Sequence, residues 1–418
     1  MWSLHITVCL AAGIIVNSGS DSGTHVARQT LTVSEAPFDS RLITFLPDQR
    51  VMLKHNNETR TLTLQDLVVW GSYTDHNSLP HVYLTDGGVL AADVVKITPA
   101  QVTLYSRIFT EVQIPRSLLR AIVFAPPAGV LPRDHLWKQI LSNTVDHDTA
   151  HFTNGDALRG KHVTTPNTLL TNVTNRIAFQ TEQRPTPLSI PLERLSALLF
   201  RSQKPRNLRA ESRQQTPAGV SLGFADGSRI HVNTIVTKQK KIQLTVNQEL
   251  MLSVDAATFH RELTQFQPRT PQVTFLSDLT PSSYKHIPFL RRSWPHGIDE
   301  NVLGGRLRCA GAIHTKGLGM HSASRITYQL DHKFRWFQSQ IALDQSAGNR
   351  GSVIFRVFLQ RSGEWTSTYT SPIVRGANRP LPIKLNVAQA DAIALLVEFA
   401  DRGDERDYAN WLNARLSN

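Results

Sequence analysis

From Val353 to Leu359 every odd-numbered residue is apolar. The same two-residue period returns in Ile383, Leu385 and Val387, in Ile393, Leu395, Val397 and Phe399, and at even positions in Ile326, Tyr328 and Leu330. Successive side chains of an extended strand point to opposite faces, so this pattern buries one face of each strand and wets the other. Beyond Gln272 the chain is therefore expected to fold as two packed antiparallel sheets, a jelly-roll β-sandwich with little helix.

Upstream, from about residue 38 to 266, the sequence reads as short strands that repeat. Val112-Gln113-Ile114-Pro115 running to Phe124 matches Leu188-Ser189-Ile190-Pro191 running to Phe200 at a constant offset of 76 residues. Within the match Leu119 meets Leu195 and Ala121 meets Ala197, which is more than a strand period requires. Three turn signals, Asp86-Gly87, Asn154-Gly155 and Asp226-Gly227, stand between alternating apolar residues. Both turn positions tolerate positive φ, so each predicts a hairpin. Leu62 to Trp70 reads as the tail of an earlier, degenerate unit. The expectation is an all-β chain of repeated small β-meander or barrel units followed by the sandwich. Gln267-Pro268-Arg269-Thr270-Pro271 reads as the linker, because its prolines block helix and ladder alike. The second domain is placed at 272–418.

The ends and the charge set the context. Residues 1–20 carry an apolar run from Ile6 to Val16 and then Ser18-Gly19-Ser20, the shape of a secretory signal, although no Lys or Arg precedes the run. The expected location is secreted, periplasmic or cell-envelope, with no transmembrane anchor once the signal is cut. Of two cysteines, Cys9 lies in the presumed signal, leaving Cys309 without a disulfide partner and read as a small buried residue. A net charge of +12 over 418 residues favours polyanionic neighbours, among them acidic or sulfated polysaccharide. The basic run from Arg201 to Arg213 and the lysines Lys238, Lys240 and Lys241 lack interleaved aromatics, so they read as solvated loops and no nucleic acid is expected. Asn57-Glu58-Thr59 and Asn172-Val173-Thr174 are glycosylation sequons, relevant only in a cell that glycosylates exports.

Five runs in the last third, taken in order, carry a family resemblance. They are Phe275-Leu276-Ser277-Asp278-Leu279, Lys316-Gly317-Leu318-Gly319-Met320-His321-Ser322, Ile341-Ala342-Leu343-Asp344, Gly351 to Val357, and Asp407-Tyr408-Ala409-Asn410-Trp411. Together they resemble the NPCBM family of carbohydrate-binding modules, found beside the catalytic domain of glycoside hydrolase family 98 and on other secreted proteins. The resemblance implies a galactose-binding-like jelly roll and a role in holding glycans. The family usually has Gly where Ala342 stands, and an Asp-His-Ala-Asp-Trp run where this chain has Tyr408 and Asn410.

Candidate contacts follow from side-chain chemistry. Trp365 and Tyr369, in a polar loop-strand, offer aromatic faces for stacking on pyranose rings. His321 meets either a sugar hydroxyl or, as a packed residue, the fold itself. Arg350 and Arg375 carry forks that suit sugar hydroxyls or acidic groups. Asp401, Asp404 and Asp407 are candidate oxygen ligands for a structural Ca²⁺, and the competing reading is a solvated acidic turn neutralised by Arg402 and Arg406. No catalytic residue is assigned. Gly219-Val220-Ser221-Leu222-Gly223 fits the G-x-S-x-G pattern of hydrolases, but that motif needs strand, turn and helix, whereas an Asp-Gly turn and another strand follow here. The functional expectation is an exported, non-catalytic carbohydrate-binding protein. The alternatives are an envelope scaffold using the sandwich for protein contacts and, third, a hydrolase with its site in the repeats.

Overall fold

The computed structural model describes residues 27–46, 50–142, 146–163, 176–181, 183–184, 186–201, 219–269, 272–288, 293–376 and 378–418. The expected leader, Cys9, the Asn172 sequon and the basic residues from Lys204 to Arg213 lie outside them. The chain divides into two compact units, one of Met1–Gln29 and Asp39–Thr270, the other of Thr30–Phe38 and Pro271–Asn418. Both are built almost wholly of strands, as the alternation demands. Among the described residues no helix is long and apolar enough to cross a membrane.

The first unit repeats one small barrel plan. Repeat two runs His81–Leu84, Val89–Ala91, Asp93–Ile97, Gln101–Ser106, Thr110–Pro115, a 3-10 turn Arg116–Leu118 and Leu119–Val123. Repeat three runs Asp148–Phe152, Ala157–Val163, Arg176–Gln180, Leu188–Pro191, the 3-10 turn Leu192–Arg194 and Leu195–Leu199. Repeat four runs Val220–Phe224, Arg229–Val232, Thr234–Lys238, Lys241–Thr245, Met251–Asp255, the helix Ala256–Glu262 and Leu263–Pro268. In each, the closing strand pairs antiparallel with the opening one. Before them, repeat one supplies Phe38–Leu46, Arg50–His55, Glu58–Thr63 and Leu67–Gly71, a fuller unit than its degenerate sequence suggests.

The turn glycines explain why the plan recurs. Gly87, Gly155 and Gly227 hold φ of 86°, 92° and 91°, a region where a Cβ is unfavourable. Each donates its N–H to the carbonyl three residues back, on Leu84, Phe152 and Phe224. The preceding Asp86, Asn154 and Asp226 each accept an N–H two residues on, the Asx turn that those side chains make.

The repeats also pair with one another in two ways, the first of which occurs twice. Closing strands of repeats two and three run antiparallel with Ile122 opposite Leu198 at the centre, and Ala121 opposite Leu199 exchanges with Val123 opposite Ala197 under the 76-residue offset. That is a local two-fold. The bonds obey it too, since Phe124 N donates to Ser196 O and Phe200 N to Arg120 O, both at 2.9 Å. Repeats four and one reproduce the register, with Gln265 opposite Gly71 and Phe266 opposite Trp70. The second mode joins the turn-side edges of repeats two and four, where Val89 lies opposite Arg229.

Two features depart from the sequence reading. Gln267 and Pro268, within the expected linker, continue the last strand, and Pro268 is its final residue, opposite Val220. A terminal position tolerates the missing N–H. The helix Val130–Ser142 intervenes between repeats two and three. Arg120 caps its end by donating to the carbonyls of Ile140 and Leu141 at 2.6 and 2.9 Å.

The second unit is the expected sandwich. One sheet orders Gly297–Ile298, Gly317–His321, Tyr408–Ser417, Trp336–Leu343 and Leu381–Asn386. The other orders Ser283–His286, Ser324–Gln329, Ala392–Phe399, Ser352–Arg361 and Glu364–Thr370, with Val374–Arg375 also against Ser352–Arg361. The alternating positions Val353, Phe355, Val357 and Leu359 are fully buried, as are Ile326, Ile393, Leu395 and Val397. They meet Ile341, Ala409, Trp411 and Leu416 from the facing sheet. Burying such side chains contributes roughly 1.5–3 kcal/mol each. Phe399, by contrast, ends its strand at the rim and is 46% exposed. Within this unit, Thr30–Phe38 is tied in by Arg415 Nη2 donating to Thr32 O at 3.0 Å and Lys384 Nζ to Ser34 O at 2.5 Å.

Candidate functional site

The signature runs build the sandwich before they build any site. Lys316 Nζ donates to Asp278 Oδ1 at 2.6 Å and Asp299 Oδ2 at 3.1 Å, and Gly317 N donates to Asp299 Oδ1. Burial works against the Lys316 ammonium, yet the carboxylates of Asp299 and Asp278 raise its pKa above the ordinary value. A Cβ on Gly319 would lie 2.4 Å from Glu300 O, so only glycine lets that loop approach. Asp344 accepts from Arg308 N, Ser346 N and Ser346 Oγ, and its Oδ2 accepts from Asn410 Nδ2 at 2.9 Å. An amide donates there, whereas a second carboxylate would repel the first. Asp407 accepts from Ser322 Oγ at 2.5 Å and Ser352 N at 2.9 Å. Trp411 is fully buried with its ring edge-on to Phe355 at 5.0 Å.

Strand register gathers many of the remaining candidates at one end of the sandwich. His321 ends its strand opposite Tyr408, which opens the next. Ser352 opens opposite Arg375, and Phe399 ends opposite Val353. The His286 end of its strand lies there as well, opposite Ser324.

At this rim the imidazole of His321 lies flat on the indole of Trp294, centroids 4.8 Å apart and planes within 1°. Tyr408 stands beside both, 5.9 Å from His321 and 6.1 Å from Trp294. Hydrogen bonds fix the ring roles. Ser322 O can only accept, so His321 Nδ1–H donates to it at 2.7 Å and His286 Nε2–H at 3.1 Å. His286 Nδ1 is thereby left to accept from Trp294 N at 3.2 Å, and Tyr284 OH donates to Trp294 O at 2.8 Å. The loop tryptophan is thus held by its own N–H, its own carbonyl and one face of its ring. The indole itself is half-buried, and Ile287 next to His286 is 59% exposed.

The predicted residues divide between this rim and elsewhere. His321, Arg350, Arg375, Asp401, Asp404 and Asp407 belong to the rim strands and loops. Trp365 does not: it lies opposite Gln360, toward the other end of the sandwich, and is 45% exposed. Tyr369 lies midway, opposite Val357, packing against the core, and burial raises its phenol. Arg350 donates to Glu405 at 3.0 Å, and Arg375 forks onto Asp401 at 3.0 and 2.7 Å. Those hydrogen bonds from Arg375 hold Asp401 down to about 2. Asp407 is fully buried, and burial pushes its carboxyl up to about 6, with the charge of Asp404 adding to the shift. The three aspartates therefore occupy separate environments, and among the described residues no group of three His, Cys, Asp or Glu side chains gathers to hold a metal.

Sequence reasoning missed Trp294, His286 and Tyr284. The signal was present in Ser293-Trp294-Pro295-His296, where an aromatic and a histidine flank a proline between short strands. Cys309 is buried as expected, and burial pushes its thiol up to about 12. Ser221 sits in the strand Val220–Phe224, its Oγ 2.7 Å from Nδ1 of the cross-strand His231, in a strand-turn-strand setting with no helix behind it.

Comparison with known proteins adds a family match for the second unit. Residues 272–417 match the model of the NPCBM/NEW2 domain. A Renibacterium salmoninarum protein named "Putative endo-alpha-N-acetylgalactosaminidase" is 30% identical over 115 residues, which are 27% of this chain and 7% of that relative. The chain thus spans a small fraction of the curated relative it matches. Among solved structures, a CBM51 module from Clostridium perfringens GH95 in complex with methyl-galactose is 21% identical. The match covers 35% of this chain and 99% of that one, with a TM-score of 0.31. The CBM51-2 and INT domains of Clostridium perfringens ZmpB, in complex with GlcNAc, are 24% identical over 43% of this chain and 36% of that one, also at 0.31.

Proposed function

We propose that the C-terminal NPCBM/NEW2 domain binds carbohydrate without catalysis, at the rim formed by Trp294, His321 and Tyr408. The observation that carries this reading is the fixing of Trp294. A platform for a sugar ring gains affinity when its orientation is set before binding, because little side-chain freedom is then lost. Trp294 is held by hydrogen bonds at both backbone polar groups and by a parallel imidazole. Aromatic side chains with polar tips, Tyr408 and Tyr284, surround it and suit a ligand that is apolar on its faces and hydroxylated at its edges.

Two rim arginines are matched by carboxylates, Arg375 by Asp401 and Arg350 by Glu405, and a third, Arg402, donates to the carbonyls of Asn349 and Arg350. That pairing favours a neutral saccharide over the acidic or sulfated polysaccharide that the net charge suggests. Export to the cell envelope or beyond belongs to the same reading, and its support is the apolar run from Ile6 to Val16 followed by small residues.

Titration calorimetry of the whole chain against neutral mono- and oligosaccharides tests it. Trp294→Ala is expected to weaken binding at least tenfold with the sandwich still folded, and Trp365→Ala to leave it unchanged. Saccharide binding that survives Trp294→Ala and is lost in Trp365→Ala would move the site to the opposite end.

A further inference from the structure

We propose that repeat three carries a self-complementary edge through which two copies of this chain pair. The argument begins with the same edge in repeats two and four. Val89 and Arg229 each stand two residues after a turn glycine, Gly87 and Gly227, and they lie opposite each other in an antiparallel couple. Equivalent residues therefore face one another, and the contact has a local two-fold. Next to the couple, Ala91 N donates to Ser228 Oγ at 2.9 Å. Val89, Leu90 and Ala91 are buried there, Leu90 in the main core and Val89 against Tyr83, Ala121 and Ile140.

Repeat three has the same edge and nothing described upon it. Ala157 stands two residues after Gly155, and Ala157 to Gly160 pair on one side with Asp148–Phe152. The next strand, Arg176–Gln180, takes up pairing only from Lys161 onward. Among the described residues no strand pairs with the outer side of Ala157–Arg159, and Asp156, Ala157 and Arg159 are exposed. An unpaired strand edge is a template for another strand.

The occupant follows from the symmetry of the contact. A surface that meets its own equivalent about a two-fold inside one chain meets itself between two chains, as an isologous interface. Repeats two and four consume their edges on each other, whereas among the described residues the edge of repeat three stays open, and the occupant that matches it is a second copy. Side-chain chemistry agrees. Asp156 occupies the position of Ser228 and Arg159 that of Ala91. A two-fold through Ala157 therefore brings Asp156 of each copy to the backbone N–H of Arg159 in the other, acid beside base, twice.

Sedimentation of the full chain over about 1–100 µM, the range of a weak edge-to-edge contact, reads the result. A concentration-dependent dimer is expected. Arg159→Glu and Asp156→Lys, each placing like charges together, should each raise its Kd at least tenfold, and the double exchange should restore it to within about threefold. Ala157→Cys, on the axis, should cross-link two copies under mild oxidation, whereas Thr153→Cys should not. A monomer at every concentration, a dimer indifferent to both charge reversals, or equal cross-linking at 153 and 157 would overturn the proposal. If a charge variant fails to fold, the cysteine pair still decides.

Discussion

Asp407 shows how a signature residue can be structural and still carry a measurable consequence. Its carboxyl is fully buried, and desolvation outweighs the bonds from Ser322 and Ser352, so its pKa rises to about 6 in the folded chain. A group whose folded pKa exceeds its unfolded one stabilises the fold most below the unfolded value, near 4, and that contribution fades as pH rises through 6. The sandwich should therefore lose on the order of 1–3 kcal/mol between pH 4 and 7 on account of this residue alone. Asp407→Asn keeps an acceptor for Ser352 N and turns the other atom into a donor toward Ser322 Oγ. Denaturant unfolding should find the variant at least as stable as its parent at pH 7.5, with the advantage vanishing by pH 4.5. A constant difference across that range would show that the charge is not the burden. Little of this was legible in the sequence. The run Asp407 to Trp411 marks the fold, but nothing in it says which aspartate is buried, because burial is decided by strands Ser352–Arg361 and Gly317–His321, far away in the chain. Trp294 was missed for the same reason: its partners His286, His321 and Tyr408 meet only through sheet register.

The elements were more readable than the residues, and the turns most of all. Asp-Gly and Asn-Gly report a local conformation that needs no tertiary information, so all three hairpins stand where the dipeptides do. The match between repeats two and three was also visible, since the 3-10 turn and the closing strand keep one length and the strand before them ends at the equivalent proline, Pro115 or Pro191. Repeat four hid its closing segment because the helix Ala256–Glu262, capped by Asp255 on Thr258 N, replaces the three-residue turn and breaks the offset. Gly155 isolates the energetic content of the turn. A Cβ there meets nothing within 4 Å, so only its φ of 92° opposes a side chain. Gly155→Ala should cost about 1–2 kcal/mol. Gly227→Ala should cost more, since its Cβ would also lie 3.0 Å from His76 N. Unfolding free energies ranked the other way would mean that turn strain is not what selects glycine here.

For the molecule as a whole, the charge of +12 and the rim make opposite demands on a ligand, and ionic strength separates them. The net charge belongs to the whole chain, while at the rim Arg350 and Arg375 are paired with Glu405 and Asp401. Attraction to a polyanion acts through the summed field of exposed lysines and arginines and is screened over about 10 Å at 0.1 M salt and about 3 Å at 1 M. Stacking of a neutral sugar on Trp294 involves no net charge and has no such dependence. Retention on a sulfated polysaccharide should therefore collapse between low and high salt and be unaffected by Trp294→Ala. Binding of a neutral saccharide should persist in high salt and fail in that variant. If the Trp294 substitution instead abolished sulfated-polysaccharide binding at high salt, the rim itself would be an anion site, and the paired arginines would have to open their bridges to Asp401 and Glu405 to receive the ligand.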